Sequence, residues 1–331
     1  MVNNAPEPLI FITAGSLPAK YPHYVVRTID NEVLEAIKLG TDVVIAGARQ
    51  TGKSSLKIRT MQRLQSEGFL CAAIDFTMLK NDSATAEKAT YSFWFWVAKA
   101  FGLVNNVEEY KSKTSAEAPE QWVCNNLQIN FQATRLVLFV DEADAALQYI
   151  YCEGITFFDK ILNDVKEVRA NLQFALLGTA LPDDFFSECL LTKQPKFFIT
   201  TFFSEEESKK LCDLLNFEDN TAICKLVYRS AGGQPQLTQR ICEAIYTGNF
   251  ATDNFENQYQ NTIESLFFTE AGLAVDTNLR AVEHTFNHYR NYSPAMVYLF
   301  ELIISSGFVT FEAKYYEHQA IVLTGMMKAE R

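Results

Sequence analysis

Between Gly47 and Ser54 the chain reads GARQTGKS, which fits the pattern G-x-x-x-x-G-K-[ST]. These residue types suit one task, the holding of a nucleoside triphosphate. Gly47 and Gly52 permit backbone angles that side chains disfavour, so the amides of Ala48, Arg49, Gln50, Thr51, Gly52, Lys53, Ser54 and Ser55 can turn around phosphate oxygens. Lys53 sets a compact positive charge against the β- and γ-phosphates. The Ser54 hydroxyl can enter the shell of Mg²⁺, which keeps most of its waters and takes few protein ligands.

A second group of residues decides how the phosphate is used. LVLFVDEAD is an apolar strand pattern ending in two acids. Asp141 at its end is expected to share Mg²⁺ with Ser54, and Glu142 to orient or deprotonate a water attacking the γ-phosphate. In LQFALLGTALP, Thr179 follows a strand expected beside the Asp-Glu strand and is read as a polar contact to the γ-phosphate. The combination favours a hydrolytic ATPase over a small-molecule kinase.

Elements must bring these residues together. DVVIAG before the loop reads as a buried strand, and KSSLKIRTMQRLQSEG after it as a helix ending at Gly68. Such a helix directs its N-terminal dipole and amides at a phosphate. LCAAIDFT, RLVLFVDEAD, LQFALLGTALP and KFFITTFF supply four further strands, separated by helical segments around Ala86 to Leu103 and Glu120 to Phe131. The fold class is α/β, a parallel sheet with helices on both faces. One strand lies between the first strand and the Asp-Glu strand, which leaves room for a sheet where those two are not adjacent. Val107 to Pro119 is polar and reads as a surface loop. The aromatics Tyr91, Phe93, Trp94, Phe95, Trp96 and Phe101 read as a buried helix rather than a partner surface. From Ser204 the pattern becomes helical, opening on a capping box with Glu207. Helices are expected over Glu205 to Leu215, Thr221 to Ser230, Gln236 to Tyr246 and Asn257 to Phe268, followed after Pro294 by a helix, a short strand Phe308 to Phe311 and another helix.

Composition narrows the partners. A net charge of −11 argues against broad nucleic-acid binding through phosphate neutralisation. The seven cysteines are odd in number and lack C-x-x-C spacing, so they read as reduced thiols of a cytoplasmic protein. The opening MVNNAPEPLIFITAG lacks a basic, apolar leader pattern, and no run approaches the ~20 apolar residues of a membrane span. His284 and His288 read as an ordinary polar helix face, and Lys57, Arg59 and Arg63 as the solvated face of the first helix.

Taken together, GSLPAKYPHYVVRTID, the long block around the glycine loop, CAAIDFT, LFVDEAD, LQFALLGTALPDD and AGGQPQLTQRIC resemble the AAA-like domain family among the signal-transduction ATPases with numerous domains, a P-loop NTPase branch of the AAA+ superfamily. The resemblance implies residues 1–41 as an N-terminal segment near the nucleotide base, 42–203 as the ATPase core, 204–290 as a helical lid and 291–331 as a partial winged helix. It implies that Tyr24, Val25 and Arg27 lie near the adenine, that Thr179 is the sensor, and that Pro235 of GGQP approaches the base from the lid. Bottom-up, GGQP reads as a helix stop followed by a helix start. Relatives often carry arginine at the sensor position, where this chain has Thr179 followed by Ala180. No arginine finger is assigned, and Arg169 reads as a helix-end arginine. The implied function is an ATP/ADP switch with slow Mg²⁺-dependent hydrolysis, closed with ADP and self-associating with ATP. An unidentified protein effector or sensor is the implied partner, in signalling or antiviral defence, without membrane or nucleic acid. The alternatives are an AAA+ motor or remodeller and a DNA-associated regulator using the winged helix.

Overall fold

The computed structural model describes residues 10–79, 85–132, 134–149, 155–165, 171–180, 185, 195–217, 220–248, 250, 254–275, 294–310, 312 and 315–323. By compactness the chain forms two units: Thr28–Gly47 with Leu56–Ile199, and Met1–Arg27 with Ala48–Ser55 and Thr200–Arg331.

The first unit is built on β1 (Val43–Ala46), β2 (Leu70–Asp75), β3 (Leu136–Asp141), β4 (Leu172–Gly178) and β5 (Lys196–Ile199), in the order β2-β3-β4-β1-β5 with every pairing parallel. β4 therefore lies between β1 and β3, as the spacing of the two motifs allowed. All four residues of β1 and all seven of β4 are buried, which is the signature of a parallel sheet covered on both faces. Successive side chains alternate between the faces. Val43, Ile45, Val137, Phe139, Ala175 and Leu177 pack with Val33, Leu34 and Ile37 of α1 (Thr28–Lys38) and Leu56 and Leu64 of α2 (Lys53–Ser66). On the other face, Val44, Leu138, Val140 and Leu176 pack with α3 (Ala86–Ala100), α5 (Pro119–Asn130) and α6 (Phe157–Asp164).

Phe76 is the hub of that second face. It is fully buried at the end of β2, edge-on to Phe157 at 5.1 Å and close to Phe93, Tyr149 and Phe158. Phe93 and Trp94 of α3 are also fully buried, whereas Tyr91, Phe95 and Trp96 are only partly buried against that core, so the expectation of a buried aromatic helix holds for one side of the run.

Two sequence expectations fail. The polar interval after Asn106 is not a loop throughout: α4 spans Val107–Lys113. Local capping outweighs its polarity. Asn106 Oδ1 accepts the Glu109 N–H at 2.9 Å, the Glu109 carboxylate accepts the Asn105 N–H at 2.9 Å, and Lys113 pairs with Glu109 at 2.8 Å. Lys113 and the Asn105 N–H lower the Glu109 carboxyl to about 2, so this support is present above pH 4.5 and fades as pH falls toward 2. Further along, Phe308–Thr310 form no strand. That segment lies between α12 (Pro294–Ser306) and α13 (Tyr316–Leu323), without a paired strand among the described residues. His284, His288, Arg169, Cys152 and Cys189 lie outside the described residues.

The second unit contains α7 (Glu205–Cys212), α8 (Asn220–Ala231), α9 (Pro235–Thr247), α10 (Phe255–Phe267) and α11 (Glu270–Val275). Ser204 and Glu207 make the expected capping box on α7. Leu211, Ile223, Val227, Ile241 and Ile245 form its core, which Phe11 and Val25 of the N-terminal segment enter. Cys212, Cys224 and Cys242 lie in the same core as free thiols. A hydrogen bond with Cys242, then burial, pushes the Cys212 thiol well above its ordinary range, and burial pushes Cys224 up to about 12. Protonated and buried, Cys212 and Cys224 are inert packing groups. Among the described residues no helix is long and apolar enough to cross a membrane.

Truncating the aromatic hub gives a direct check of this packing. Phe76→Ala is expected to cost about 3–5 kcal/mol, whereas Met78→Ala, at a half-exposed position, should stay within about 0.5 kcal/mol. Urea denaturation of the two variants measures the difference.

Candidate functional site

The glycine loop leaves β1 at Gly47 and enters α2 at Lys53, the strand–loop–helix order that the sequence predicts. Of its two glycines only Gly52 has positive φ, at 92°; the other left-handed position falls on Gln50, at 58°. This corrects the expectation for Gly47, whose N–H instead donates to the Gly178 carbonyl at 3.2 Å and continues the β1–β4 ladder. A Cβ at Gly52 would also crowd Arg27 Nη2, standing 3.3 Å from it. Arg49 and Gln50 are exposed at the loop tip, and Ala48, Thr51 and Ser55 are buried.

The loop carbonyls are held by side chains. Thr51 Oγ1 and Lys53 Nζ each donate to Ala48 O at 2.8 Å, and Arg27 Nη1 donates to Thr51 O at 2.8 Å. The same Arg27 nitrogen donates to Thr201 O at 3.1 Å, and Thr51 Oγ1 hydrogen-bonds Thr200 Oγ1 at 2.7 Å. Arg27 is 6% exposed and its guanidinium carbon lies 5.8 Å from the Phe203 ring centre. Arg27 therefore clasps the phosphate loop to the segment that leads into α7. Tyr24 is half-buried next to Val25, whose side chain belongs to the helical core. Ser55, grouped by sequence with the nucleotide contacts, has its hydroxyl accepting the Leu17 N–H at 2.9 Å.

GGQP makes the corner between α8 and α9. Gly232 and Gly233 have φ of 58° and 77°, and Gln234 caps α9 by accepting the Leu237 N–H at 2.6 Å. Pro235 is buried at the first position of α9. The Phe203 N–H donates to Gly233 O at 2.7 Å, and a Cβ on Gly233 would stand 2.2 Å from Phe203 O. The N-terminal segment is tied to α9 as well, with Ile12 N–H donating to Gln239 Oε1 at 2.9 Å and Gln236 Nε2 donating to Thr13 O at 3.3 Å.

In the sheet unit, the carboxyl end of β3 carries the acids. Asp141 pairs in register with Asp75 of β2, and its Oδ1 accepts the Glu142 N–H at 3.2 Å. Its Oδ2 is 2.5 Å from Lys57 Nζ, with the two side chains 14% and 15% exposed. This corrects the reading of Lys57 as solvated: four residues after Lys53 on α2, it is a partly buried partner of Asp141. Glu142 is exposed and left-handed, with φ of 50°, a conformation uncommon outside glycine. Asp144, which the sequence reading did not single out, accepts from Thr179 twice, from N–H at 3.1 Å and from Oγ1 at 3.2 Å. That contact requires Gly178, where a Cβ would meet Asp144 Oδ1 at 2.5 Å. The spacing Asp141-x-x-Asp144 was the available signal for Asp144; for Lys57 it was the i, i+4 relation to Lys53.

The residue types fit a magnesium nucleotide. The loop has its left-handed positions, a lysine and a hydroxyl at the head of a helix, and Ser54 and Asp141 are hard oxygen donors of the kind Mg²⁺ takes.

Residues 12–167 match the family model of the AAA-like domain. An uncharacterised WD repeat-containing protein of Synechocystis sp. is 28% identical over 249 residues, 70% of this chain. The chain spans about one fifth of that relative, 20% of its length. Among solved structures, the Walker-type ATPase of Pyrococcus abyssi superposes with a TM-score of 0.55 at 14% identity, covering 96% of this chain and 100% of that one. The ORC2 protein of Aeropyrum pernix gives a TM-score of 0.45 at 13% identity over 94% of this chain and 97% of that one. The fold is that of the P-loop NTPases.

The Arg27 clasp makes a measurable demand. Arg27→Ala leaves the buried Thr51 carbonyl without that donor and is expected to cost about 1–3 kcal/mol. Arg27→Lys should recover only part, because an ammonium lacks the guanidinium fork. Thermal melts measure the stability, and faster tryptic cleavage after Arg49 in Arg27→Ala is the expected sign of a loosened loop.

Proposed function

We propose that this protein is a cytoplasmic, AAA-like ATP-binding switch of the signal-transduction ATPase kind, with slow Mg²⁺-dependent hydrolysis as its reset. The observation that carries the reading is the Arg27 clasp, by which one buried guanidinium holds both the phosphate loop at Thr51 and the approach to the helical unit at Thr201. Phe203, two residues on, is bonded to Gly233 at the head of α9. A change in the loop backbone on nucleotide binding would thus be felt along one hydrogen-bonded path.

In this reading the loop amides and Lys53 receive the phosphates, and Ser54 and Asp141 hold Mg²⁺, which neutralises charge on the phosphate oxygens. Glu142 orients the attacking water and takes its proton. Thr179, through Asp144, reports on the end of β4. Tyr24, Val25 and Pro235 form the base-proximal side. A ligand shifts a two-state equilibrium only by its differential affinity for the two states, so ATP and ADP must be bound differently by loop and lid. ADP favours the closed form, and ATP an open form that self-associates and engages a protein effector.

The first test is the nucleotide that survives purification. Near-stoichiometric ADP released on denaturation is expected, with Lys53→Ala losing it and Glu142→Gln retaining binding while hydrolysis falls by about 10²-fold or more. A protein that purifies empty and turns over ATP rapidly, faster with rising protein concentration, is instead a motor.

A further inference from the structure

The contact between Lys57 and Asp141 is unexpected on chemical grounds. A carboxylate that shares a divalent cation meets it with its negative charge, yet Asp141 Oδ2 is already paired with Lys57 Nζ at 2.5 Å while Oδ1 accepts the Glu142 N–H. Neither partner side chain is more than 15% exposed, so the pair is weakly screened and is not a surface bridge of negligible value. Lys57 is presented by α2 one turn beyond Lys53, so the helix that begins in the glycine loop also carries the ammonium held against β3.

We propose that Lys57 is a resident counter-ion of the metal-binding carboxylate, which Mg²⁺ must displace before Asp141 can share it. The proposal rests on the reading of Asp141 as a Mg²⁺ residue. Two cations compete for one carboxylate oxygen. While Lys57 holds Oδ2, the carboxylate is neutralised and the divalent ion meets a like charge. Metal loading is therefore an exchange: the ammonium leaves Oδ2 and swings on its flexible stem toward solvent. The consequence is a raised threshold, so that nucleotide is held tightly only when Mg²⁺ is high enough to win the exchange. The same contact orients the carboxylate whose Oδ1 supports the left-handed turn at Glu142, so displacement of Lys57 reaches the residue assigned to the attacking water.

The direction of one shift separates a competitor from a scaffold. Binding of a fluorescent ATP analogue is titrated at buffered Mg²⁺ concentrations for the unmutated protein, Lys57→Met and Lys57→Arg. The Mg²⁺ concentration for half-maximal binding is expected to fall about tenfold in Lys57→Met and to stay near that of the unmutated protein in Lys57→Arg. In the Asp141→Asn background, Lys57→Met should produce no further fall. An unchanged or raised Mg²⁺ requirement in Lys57→Met means that the lysine only braces β3, and it overturns the proposal while leaving the nucleotide site intact. Failure of the unmutated protein to bind the analogue at any Mg²⁺ concentration overturns the site and the proposal together. A readout independent of variant folding is acylation of Lys57 in the unmutated protein by acetic anhydride, read by mass spectrometry. It should rise with nucleotide plus Mg²⁺ relative to nucleotide plus chelator, and equal labelling overturns the exchange.

Discussion

A glycine loop bends too sharply to satisfy its own carbonyls, so something outside it must. Buried backbone acceptors left without donors are costly, and secondary structure supplies none between Ala46 and Lys53. This chain meets that constraint with side chains. Thr51 and Lys53 donate to Ala48, and Arg27, distant in sequence, donates to Thr51. The solution has a structural consequence. Because Arg27 of the N-terminal segment also bonds Thr201 and Thr51 also bonds Thr200, the loop is grouped by its contacts with the helical unit although it springs from the sheet.

The end of β3 follows a similar logic with charges. DEAD brings three acids together, and each has its own surroundings: Asp141 with Lys57, Glu142 at an exposed left-handed position, Asp144 with Thr179. Separating like charges by giving each a distinct environment lets them take distinct roles. Gly178 is part of that arrangement, since any side chain there would displace the Asp144 carboxylate. Lys57 and Asp144 thus surround the motif residues with a layer that decides how Asp141 and Thr179 are aimed.

The helical unit has a different source of order. Its core mixes aliphatic residues and thiols with Phe11, Phe203 and Tyr259, and at its sharpest backbone feature Gly233 is required because the chain at Phe203 passes too close for a Cβ. Pro235 then restarts a helix whose first-turn N–H would have had no helical partner in any case. The short motif GGQP therefore has a complete local explanation, whatever it additionally touches.

Much of the molecule was legible in its sequence because the signals were local. Apolar β-branched runs gave all five strands, the order of motifs left room for the separation of β1 from β3, and Ser204 with Glu207 gave the start of α7. The glycine loop was legible as a turn between strand and helix, since that geometry depends on a few adjacent residues. What misled was composition where local capping ruled, as at α4, and pattern where no partner strand came, as at Phe308–Thr310. Only the tertiary structure decided that Lys57 faces Asp141, that Thr179 answers to Asp144, and that Arg27 holds Thr51. A side chain's partner is set by which elements the folded sheet and helices bring within about 3 Å, and a linear sequence carries residue types and spacings but not those distances.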